Sequence, residues 1–241
     1  IVFNTVENIS FQKITKFIEK DYDDYKDLKE KKFKFPLSFN KNKIKRLYIQ
    51  DNFVFRISDL EEFKNLEEFT FSGHLDEDDK NMNNFPKMDK LRILDYSVQY
   101  PFIKQKDSIF KNFENCKNLE KITLTVGETT RRDEMRWTSY TVDVSKFSNF
   151  KKLNFLELND FEQDNIKNLN HLKYLKTFNL INPFMITKDH NPDKGTVNEP
   201  LTEDDFKFLA QSKDLENLKI YFPRFEKERI NINFEKFIKY L

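Results

Sequence analysis

One short apolar pattern recurs seven times along this chain and restricts its possible folds more than any other feature. It consists of an apolar residue, two variable residues, an apolar residue, one variable residue and a last apolar residue. The copies are Ile44-Leu47-Ile49, Leu66-Phe69-Phe71, Leu91-Leu94-Tyr96, Leu119-Ile122-Leu124, Leu153-Leu156-Leu158, Leu175-Phe178-Leu180 and Leu215-Leu218-Ile220. Their first residues are between 22 (44 to 66) and 40 (175 to 215) positions apart, a spacing typical of stacked structural repeats.

Positions outside this pattern test whether the recurrence is real. They lie three, six and nine residues before the first residue of each of the last six copies, and at 234, 237 and 240 in a partial eighth unit. Twenty of these 21 residues are apolar and only Ser212 is not, whereas a composition of 38% hydrophobic residues predicts about eight. We conclude that the chain is built from units that each begin with one copy of the pattern.

The pattern predicts a strand in every unit. Successive side chains of a strand point to opposite faces, so the apolar residues would face a core and the variable ones solvent. Seven parallel strands about 4.8 Å apart would form a ribbon about 29 Å long. The later apolar residues, at every third position, favour short helices or 3₁₀ turns on the opposite side.

These units resemble the leucine-rich repeat family, whose repeat reads L-x-x-L-x-L-x-x-N followed by further apolar positions. Two 22-residue units, IKRLYIQDNFVFRISDLEEFKN (44–65) and LNFLELNDFEQDNIKNLNHLKY (153–174), are similar to the short class of phosphatase-regulatory subunits and internalins. The resemblance covers 44–241 and implies an α/β fold, a right-handed solenoid with a parallel ribbon on its concave face. The chain departs from the family at the ninth position, where only Asn52 keeps the asparagine that bonds backbone groups between coils.

The first 43 residues precede the repeats and are predicted to cap them. Apolar residues fall at helical spacing through ISFQKITKFIEKDYDDYKDLKEKK (9–32), at Phe11, Ile14, Ile18, Tyr25 and Leu28. We expect a polar-faced helix that closes the first unit, with a separate partner-binding helix as the alternative. The segment KFKFPLSF (32–39) is expected to lead in as an edge strand or extended link. Two regions follow, a cap at 1–43 and repeats at 44–241.

Two insertions lengthen the units that follow the fourth and sixth strands. They lie at 125–144 and 181–202, and loops that leave the same end of parallel strands emerge on the same edge. The first contains Trp137 beside Arg131, Arg132 and Arg136, residue types that are enriched at binding hot spots. The alternative is that Trp137 anchors its own hairpin against the solenoid.

The variable positions of the strands are the candidate binding surface. Neither charge sign dominates them, but Ile93, Phe155, Ile181 and Tyr221 are apolar where solvent is expected. One contiguous patch would mark a protein interface, whereas scattered apolar residues are ordinary, and the sequence leaves both open. The candidate partner-binding residues are Arg46, Tyr48, Ile93, Trp137, Phe155, Glu157 and Tyr221.

Composition argues against several functional classes. Lysine and arginine (42) balance aspartate and glutamate (41), which disfavours nucleic acid as a partner. Three glycines cannot supply a phosphate-binding loop, and no apolar run approaches the roughly 18 residues of a membrane span. The single cysteine, Cys116, aligns with core positions and is expected to be buried and inert. His74 precedes an acidic run, LDEDDKN (75–81), which we interpret as a solvated loop and not a metal site. We expect no cofactor, metal or catalytic residue.

The resemblance therefore implies a monomeric, non-enzymatic module that binds a protein or peptide on the ribbon and its loop-walled edge. Two alternatives remain at this stage: the substrate-recognition part of a larger enzyme, such as a bacterial effector, and a structural or self-associating protein. The lone cysteine favours the cytoplasm, and a secreted or cell-surface bacterial protein without disulfides is the alternative.

Overall fold

The structure, a computed structural model, is dominated by one parallel β-sheet with few helices. It describes residues 7–12, 35, 40–76, 79, 85–98, 115–126, 147, 149–159, 169, 172–181, 201–221, 230–231 and 234–238. The strands are β1 (Asn8–Gln12), β2 (Arg46–Phe55), β3 (Glu68–Leu75), β4 (Ile93–Val98), β5 (Lys121–Val126), β6 (Phe155–Asn159), β7 (Thr177–Ile181), β8 (Leu201–Thr202), β9 (Asn217–Tyr221) and β10 (Ile230–Asn231). Eight of them form the main sheet in the order β1-β2-β3-β4-β5-β6-β7-β9, and β8 pairs with β10 separately. The parallel sheet agrees with the α/β class predicted from the sequence.

The seven predicted strands pair in the predicted register. Their middle apolar residues are successive partners across the sheet: Leu47, Phe69, Leu94, Ile122, Leu156, Phe178 and Leu218. Each of the seven units also enters its strand through the same turn, because the amide of the first apolar residue donates to the carbonyl oxygen three residues earlier. These seven bonds, from Ile44, Leu66, Leu91, Leu119, Leu153, Leu175 and Leu215, measure 3.1–3.3 Å.

One continuous apolar core lies behind the sheet. In the first six units all 18 pattern residues are at most 2% exposed, which the strict alternation of the strands requires. Phenylalanine supplies much of the volume: Phe55 packs against Phe69 and Phe71 at ring-centroid distances of 5.9 and 5.3 Å. In the last unit, Leu215, Leu218 and Ile220 are only partly buried against this core.

Among the described residues, the segments that return behind the sheet contain 3₁₀ helices and one short α-helix. The 3₁₀ helices that bear on the core span Ile57–Glu62 and Glu203–Gln211, a third spans Lys41–Lys43, and the helix α1 spans Phe234–Phe237. The helix Glu203–Gln211 begins where it does because Thr202 and Asp205 form a capping box, in which the Thr202 amide donates to Asp205 Oδ2 at 2.8 Å. We call the positions three, six and nine residues before each of the last six copies of the pattern, with 234, 237 and 240, the trailing apolar positions. Every side chain that the structure describes at these positions is buried.

Ser212 is the exception in the trailing apolar pattern, and the structure explains how it is accommodated. It is 5% exposed, and its hydroxyl donates to the carbonyl oxygen of Leu172, the equivalent position of the preceding unit. The buried hydroxyl is therefore satisfied by the neighbouring unit and does not carry a desolvation penalty.

Asparagines before the strands supply contacts between units, in a chain that has few asparagines at the family's ninth position. Asn118 Nδ2 donates to the carbonyl oxygen of Asp89 at 2.6 Å, and Asn65 Nδ2 donates to that of Asn42. A further asparagine, Asn115, donates from Nδ2 to the Phe85 carbonyl oxygen at 3.2 Å. These bonds satisfy backbone groups of adjacent units at the end where the strands begin.

The N-terminal prediction is wrong for residues 9–12. These residues belong to the strand β1, which pairs in parallel with β2 and places Ile9 opposite Leu47 and Phe11 opposite Ile49. The segment Val6-Ile9-Phe11 has the same apolar spacing as the seven copies, and this signal was available in the sequence. The rest of the expected helix, residues 13–32, lies outside the described residues, and of the expected lead-in only Phe35 is described.

The acidic run after β3 also differs from the prediction of a solvated loop. Asp76 and Asp79 are each 4% exposed. One oxygen of Asp79, Oδ2, accepts from the Ser58 amide at 3.0 Å at the start of the helix Ile57–Glu62, where an anion is favoured by unpaired amides. The run therefore helps to hold a returning segment.

No helix among the described residues is long and apolar enough to cross a bilayer.

A core substitution tests the shared register. Leu156→Ala removes a side chain that is 0% exposed at the centre of the sheet, so we expect a loss of about 2–5 kcal/mol in the free energy of unfolding. The matched control is Thr123→Val on the neighbouring strand, which faces the other side and should change stability by less than about 0.5 kcal/mol. Urea denaturation measures both, and similar effects for the two variants would contradict the assignment of faces.

The reactivity of the Cys116 thiol measures whether the core is closed to solvent. Its side chain is 0% exposed, and burial raises the pKa of its thiol to about 12. At pH 8 only about one thiol in ten thousand is then ionised. A thiol reagent should leave the native protein unmodified for hours and label it within minutes in 8 M urea; rapid labelling of the native protein would show that the core is open.

Candidate functional site

The candidate site is the face of the main sheet that points away from the core, called here the exposed face. The parallel register aligns its residues into three rows that run across the strands. In chain order the first row is Asn8, Arg46, Glu68, Ile93, Lys121, Phe155, Thr177 and Asn217. The second is Ser10, Tyr48, Thr70, Asp95, Thr123, Glu157, Asn179 and Lys219, and the third is Gln12, Gln50, Ser72, Ser97, Thr125, Asn159, Ile181 and Tyr221.

Six of the seven candidate residues lie on this face. Arg46, Ile93 and Phe155 are in the first row, Tyr48 and Glu157 in the second, and Tyr221 in the third. The seventh, Trp137, lies outside the described residues, as do most of the insertions 125–144 and 181–202. The sheet therefore brings the strand candidates onto one surface but does not test the predicted wall of loops.

The candidates on β2 are already paired within the chain. Arg46 Nε lies 3.0 Å from Glu68 Oε1 on the next strand, and the Tyr48 hydroxyl donates to Gln50 Oε1 at 2.6 Å. The Arg46 side chain is 60% exposed, and an ion pair so accessible to water contributes little to stability. The Arg46 and Tyr48 side chains therefore have partners within the chain, and the ion pair of Arg46 is accessible to water.

The four apolar residues of the face form two pairs and not one patch. Ile93 and Phe155 lie in the first row with Lys121 between them, and Lys121 Nζ sits 4.5 Å from the centroid of the Phe155 ring. Ile181 and Tyr221 are neighbours in the third row, and Tyr221 is 50% exposed. The first and third rows are four residues apart, about 13 Å along a strand, so the pairs are separate.

Asp95 is a feature of the face that the sequence analysis did not select. Its side chain is half-buried in the second row, between Thr70 and Thr123. Burial raises the pKa of this carboxyl group, Lys121 opposes the shift and Glu157 adds to it. Among the described residues no hydrogen bond reaches the Asp95 side chain, which makes it a partly desolvated anion without a close donor.

Glu157, by contrast, is held by a network of amides. Its Oε1 accepts from Asn159 Nδ2 at 3.1 Å and its Oε2 from Asn179 Nδ2 at 2.8 Å. The Asn159 amide also donates to Thr125 Oγ1 at 3.1 Å, while Asn159 Oδ1 is buried without a partner in the described part of the chain. The network fixes the Glu157 carboxylate on the face and leaves one acceptor unused beside it.

The described residues contain no group of three or more histidine, cysteine, aspartate or glutamate side chains that could hold a metal ion. The thiol of Cys116 is buried in the core with a strongly raised pKa, which is the opposite of an activated nucleophile. On the exposed face, Asp95 and Glu157 lie on either side of Thr123, and Ile93 and Phe155 lie in the adjacent row.

The state of Asp95 predicts a pH-dependent effect on stability. A carboxyl group whose pKa is raised by folding binds its proton more tightly in the native state, so its destabilising contribution is absent at low pH and appears as the pH rises through that pKa. Asp95→Asn removes the charge and should therefore raise the melting temperature at pH 7 but not at pH 3. The control is Glu61→Gln, an exposed carboxylate on the helix Ile57–Glu62. A lower melting temperature for Asp95→Asn at pH 7 would contradict the placement.

Comparison with known proteins gives no independent assignment of this face. No protein-family model matches the chain, and no curated protein matches it significantly.

Proposed function

We propose that this protein is a non-enzymatic interaction module, a divergent leucine-rich repeat solenoid that binds a protein or peptide on the exposed face of its sheet. The proposal joins two observations. The sequence units resemble that family, and their strands pair in one parallel sheet with a shared register. In such a solenoid the exposed face is concave, and the insertions 125–144 and 181–202 would flank it.

The observation that carries the proposal is the state of Asp95. A half-buried carboxylate without a hydrogen bond is costly to the isolated protein, since it loses solvation and gains no donor. Such a group is stabilised when a ligand brings a cation or a polar hydrogen to it. The Lys121 ammonium group lies over the Phe155 ring and not against the Asp95 carboxylate. A basic side chain of a partner can therefore approach Asp95 along the second row.

The neighbouring residues complete a small binding centre on β4, β5 and β6, defined as Ile93, Asp95, Lys121, Phe155 and Glu157. Its first row is apolar apart from Lys121, and its second row has acidic residues on both sides of Thr123. Phe155 provides apolar area for burial, and Glu157 is pre-oriented by its two amide donors. Fixed, partly desolvated groups at the centre of a surface are typical of binding hot spots.

This chemistry favours a partner segment with a basic side chain next to an apolar one. Arginine suits it best, because a planar guanidinium can bond a carboxylate through two donors and stack on a ring. The mixed charge of the rest of the face and the balanced composition do not favour a polyanionic partner. We therefore propose a protein or peptide ligand. Trp137, if its loop reaches the face, would add a second anchor.

Affinity capture with matched variants tests the proposal. The wild-type protein, Phe155→Ala and Asp95→Ala are used as baits in lysate of the source cells, with Glu61→Gln as the control at a site off the face. Captured proteins are identified by mass spectrometry, and the affinity of each purified candidate is then measured by calorimetry. We expect each face variant to weaken binding by about 30-fold or more, as for hot-spot residues, with a melting temperature within a few degrees of wild type.

The decisive comparison is between the face variants and the control. A partner that binds wild type and Glu61→Gln equally but loses affinity for both face variants supports the binding centre. A purified partner with unchanged affinity for Phe155→Ala and Asp95→Ala would move the binding site away from these strands. Replacing both Phe155 and Trp137 with alanine then measures whether the insertion contributes.

A further inference from the structure

The charged residues of the second row lie on alternate strands. Asp95 is on β4, Glu157 on β6 and Lys219 on β9, while the neutral residues Thr123 and Asn179 lie between them on β5 and β7. Neighbouring strands are about 4.8 Å apart, so successive charges of the row are separated by about 9.6 Å. The row therefore presents two negative charges and then one positive charge at a regular spacing.

Each of these three charges is accessible to a charged group of a ligand. Within the part of the chain that the structure describes, none of them has an ion-pair partner, and the Asp95 carboxylate accepts no hydrogen bond. Glu157 accepts one amide on each oxygen, at 3.1 and 2.8 Å, and a carboxylate has about four acceptor sites. Lys219 is exposed, and its Nζ lies 5.7 Å from the centroid of the Tyr221 ring.

The spacing of the row distinguishes between the regular conformations of a peptide that lies along it. A polyproline II helix presents every third side chain on one face, about 9.3 Å apart. A β-strand presents alternate side chains about 6.8 Å apart, and an α-helix returns to the same face after seven residues, about 10.5 Å. Over two intervals the departure from the row is about 0.6 Å for polyproline II, about 1.8 Å for the α-helix and about 5.6 Å for the strand. Polyproline II fits the row best.

We infer that the partner segment lies along the second row as a polyproline II helix, with two basic residues three positions apart and an acidic residue three positions beyond them. The basic residues pair with Asp95 and Glu157, and the acidic residue pairs with Lys219. The inference rests on the proposed function, because it assigns a ligand to the same face. Either chain direction satisfies the spacing, so the motif is read as basic-x-x-basic-x-x-acidic or as its reverse.

Synthetic proline-rich peptides provide the probe, because proline favours the polyproline II conformation. The two matching peptides are PRPPRPPEP and its reverse, PEPPRPPRP. A spacing control, PRPPPRPPPEP, has the same charged residues four positions apart, which turns them away from a common face. A charge control, PRPPRPPRP, replaces the glutamate with arginine. Each peptide carries a fluorescent label and is titrated with the intact protein at low ionic strength, and binding is followed by anisotropy.

We expect saturable binding of at least one matching peptide and about fivefold or more weaker binding of the spacing control, since it loses one or more charge pairs. The wild-type protein should prefer the matching peptide to the charge control. Lys219→Glu should reverse this preference, because all three charges of the row are then negative. Glu61→Gln, on the helix Ile57–Glu62 and off the face, should leave every affinity unchanged.

Three results would each overturn the inference: no saturable binding of either matching peptide, equal affinities for three- and four-residue spacing, or a preference between the matching peptide and the charge control that Lys219→Glu leaves unchanged. None of them decides the proposed function. That proposal is tested separately, by the affinity of a captured partner for Phe155→Ala and Asp95→Ala.

Discussion

In-register parallel pairing is the constraint on which the rest of this structure depends. No single unit can bury its own apolar face, because each supplies only one strand of five to ten residues to the sheet. Burial comes from the neighbour, and it is complete only when the middle residues, Leu94, Ile122 and Leu156 among them, lie at the same level. A slip of one residue would exchange the two faces of a strand and expose its apolar residues. Register is thus fixed by the core.

The same constraint builds the exposed face. Because the core fixes which residues face inward, it also fixes which residues share a row on the opposite side. Asp95, Thr123 and Glu157 come from three units that are far apart in sequence, yet they are neighbours in the second row. In-register strand pairing therefore determines both the stability of the fold and the residues that make up the proposed binding centre. Under the proposed function, substitutions in the rows change recognition, whereas substitutions at the apolar positions between them change folding.

Much of this architecture could be predicted from the sequence because apolar spacing is a direct record of burial. The seven strands, their order and the buried returning positions follow from that spacing, and even Ser212 occupies its predicted place. The prediction is wrong at β1 because two patterns overlap there: helical spacing begins at Phe11, and the strand spacing Val6-Ile9-Phe11 ends at the same residue. It failed at Asp76 and Asp79 because a run of acidic residues does not reveal a cap on a distant helix.

The candidate site was less accessible to sequence reasoning. Position in a unit identified the residues that face outward, but not which of them are satisfied by neighbours. Arg46 and Tyr48 are candidates by position but are paired within the chain, whereas the Asp95 side chain, not a candidate by position, accepts no hydrogen bond from the described residues. Those differences depend on side chains from adjacent units, and spacing along one unit contains no information about them. Under the proposed function, the rows determine which partner binds, and the rows exist only after the units are stacked.

Distances along one row test the shared register most directly. Pairs of spin labels at Tyr48 and Thr123, and at Tyr48 and Lys219, lie on strands of the second row that are three and six spacings apart. With strands about 4.8 Å apart, double electron–electron resonance should give backbone separations near 14 and 29 Å after allowance for the label arms. Two separations in a ratio close to one to two are the result that stacked, in-register units predict. Equal separations, or a shorter distance for the Tyr48–Lys219 pair, would contradict it.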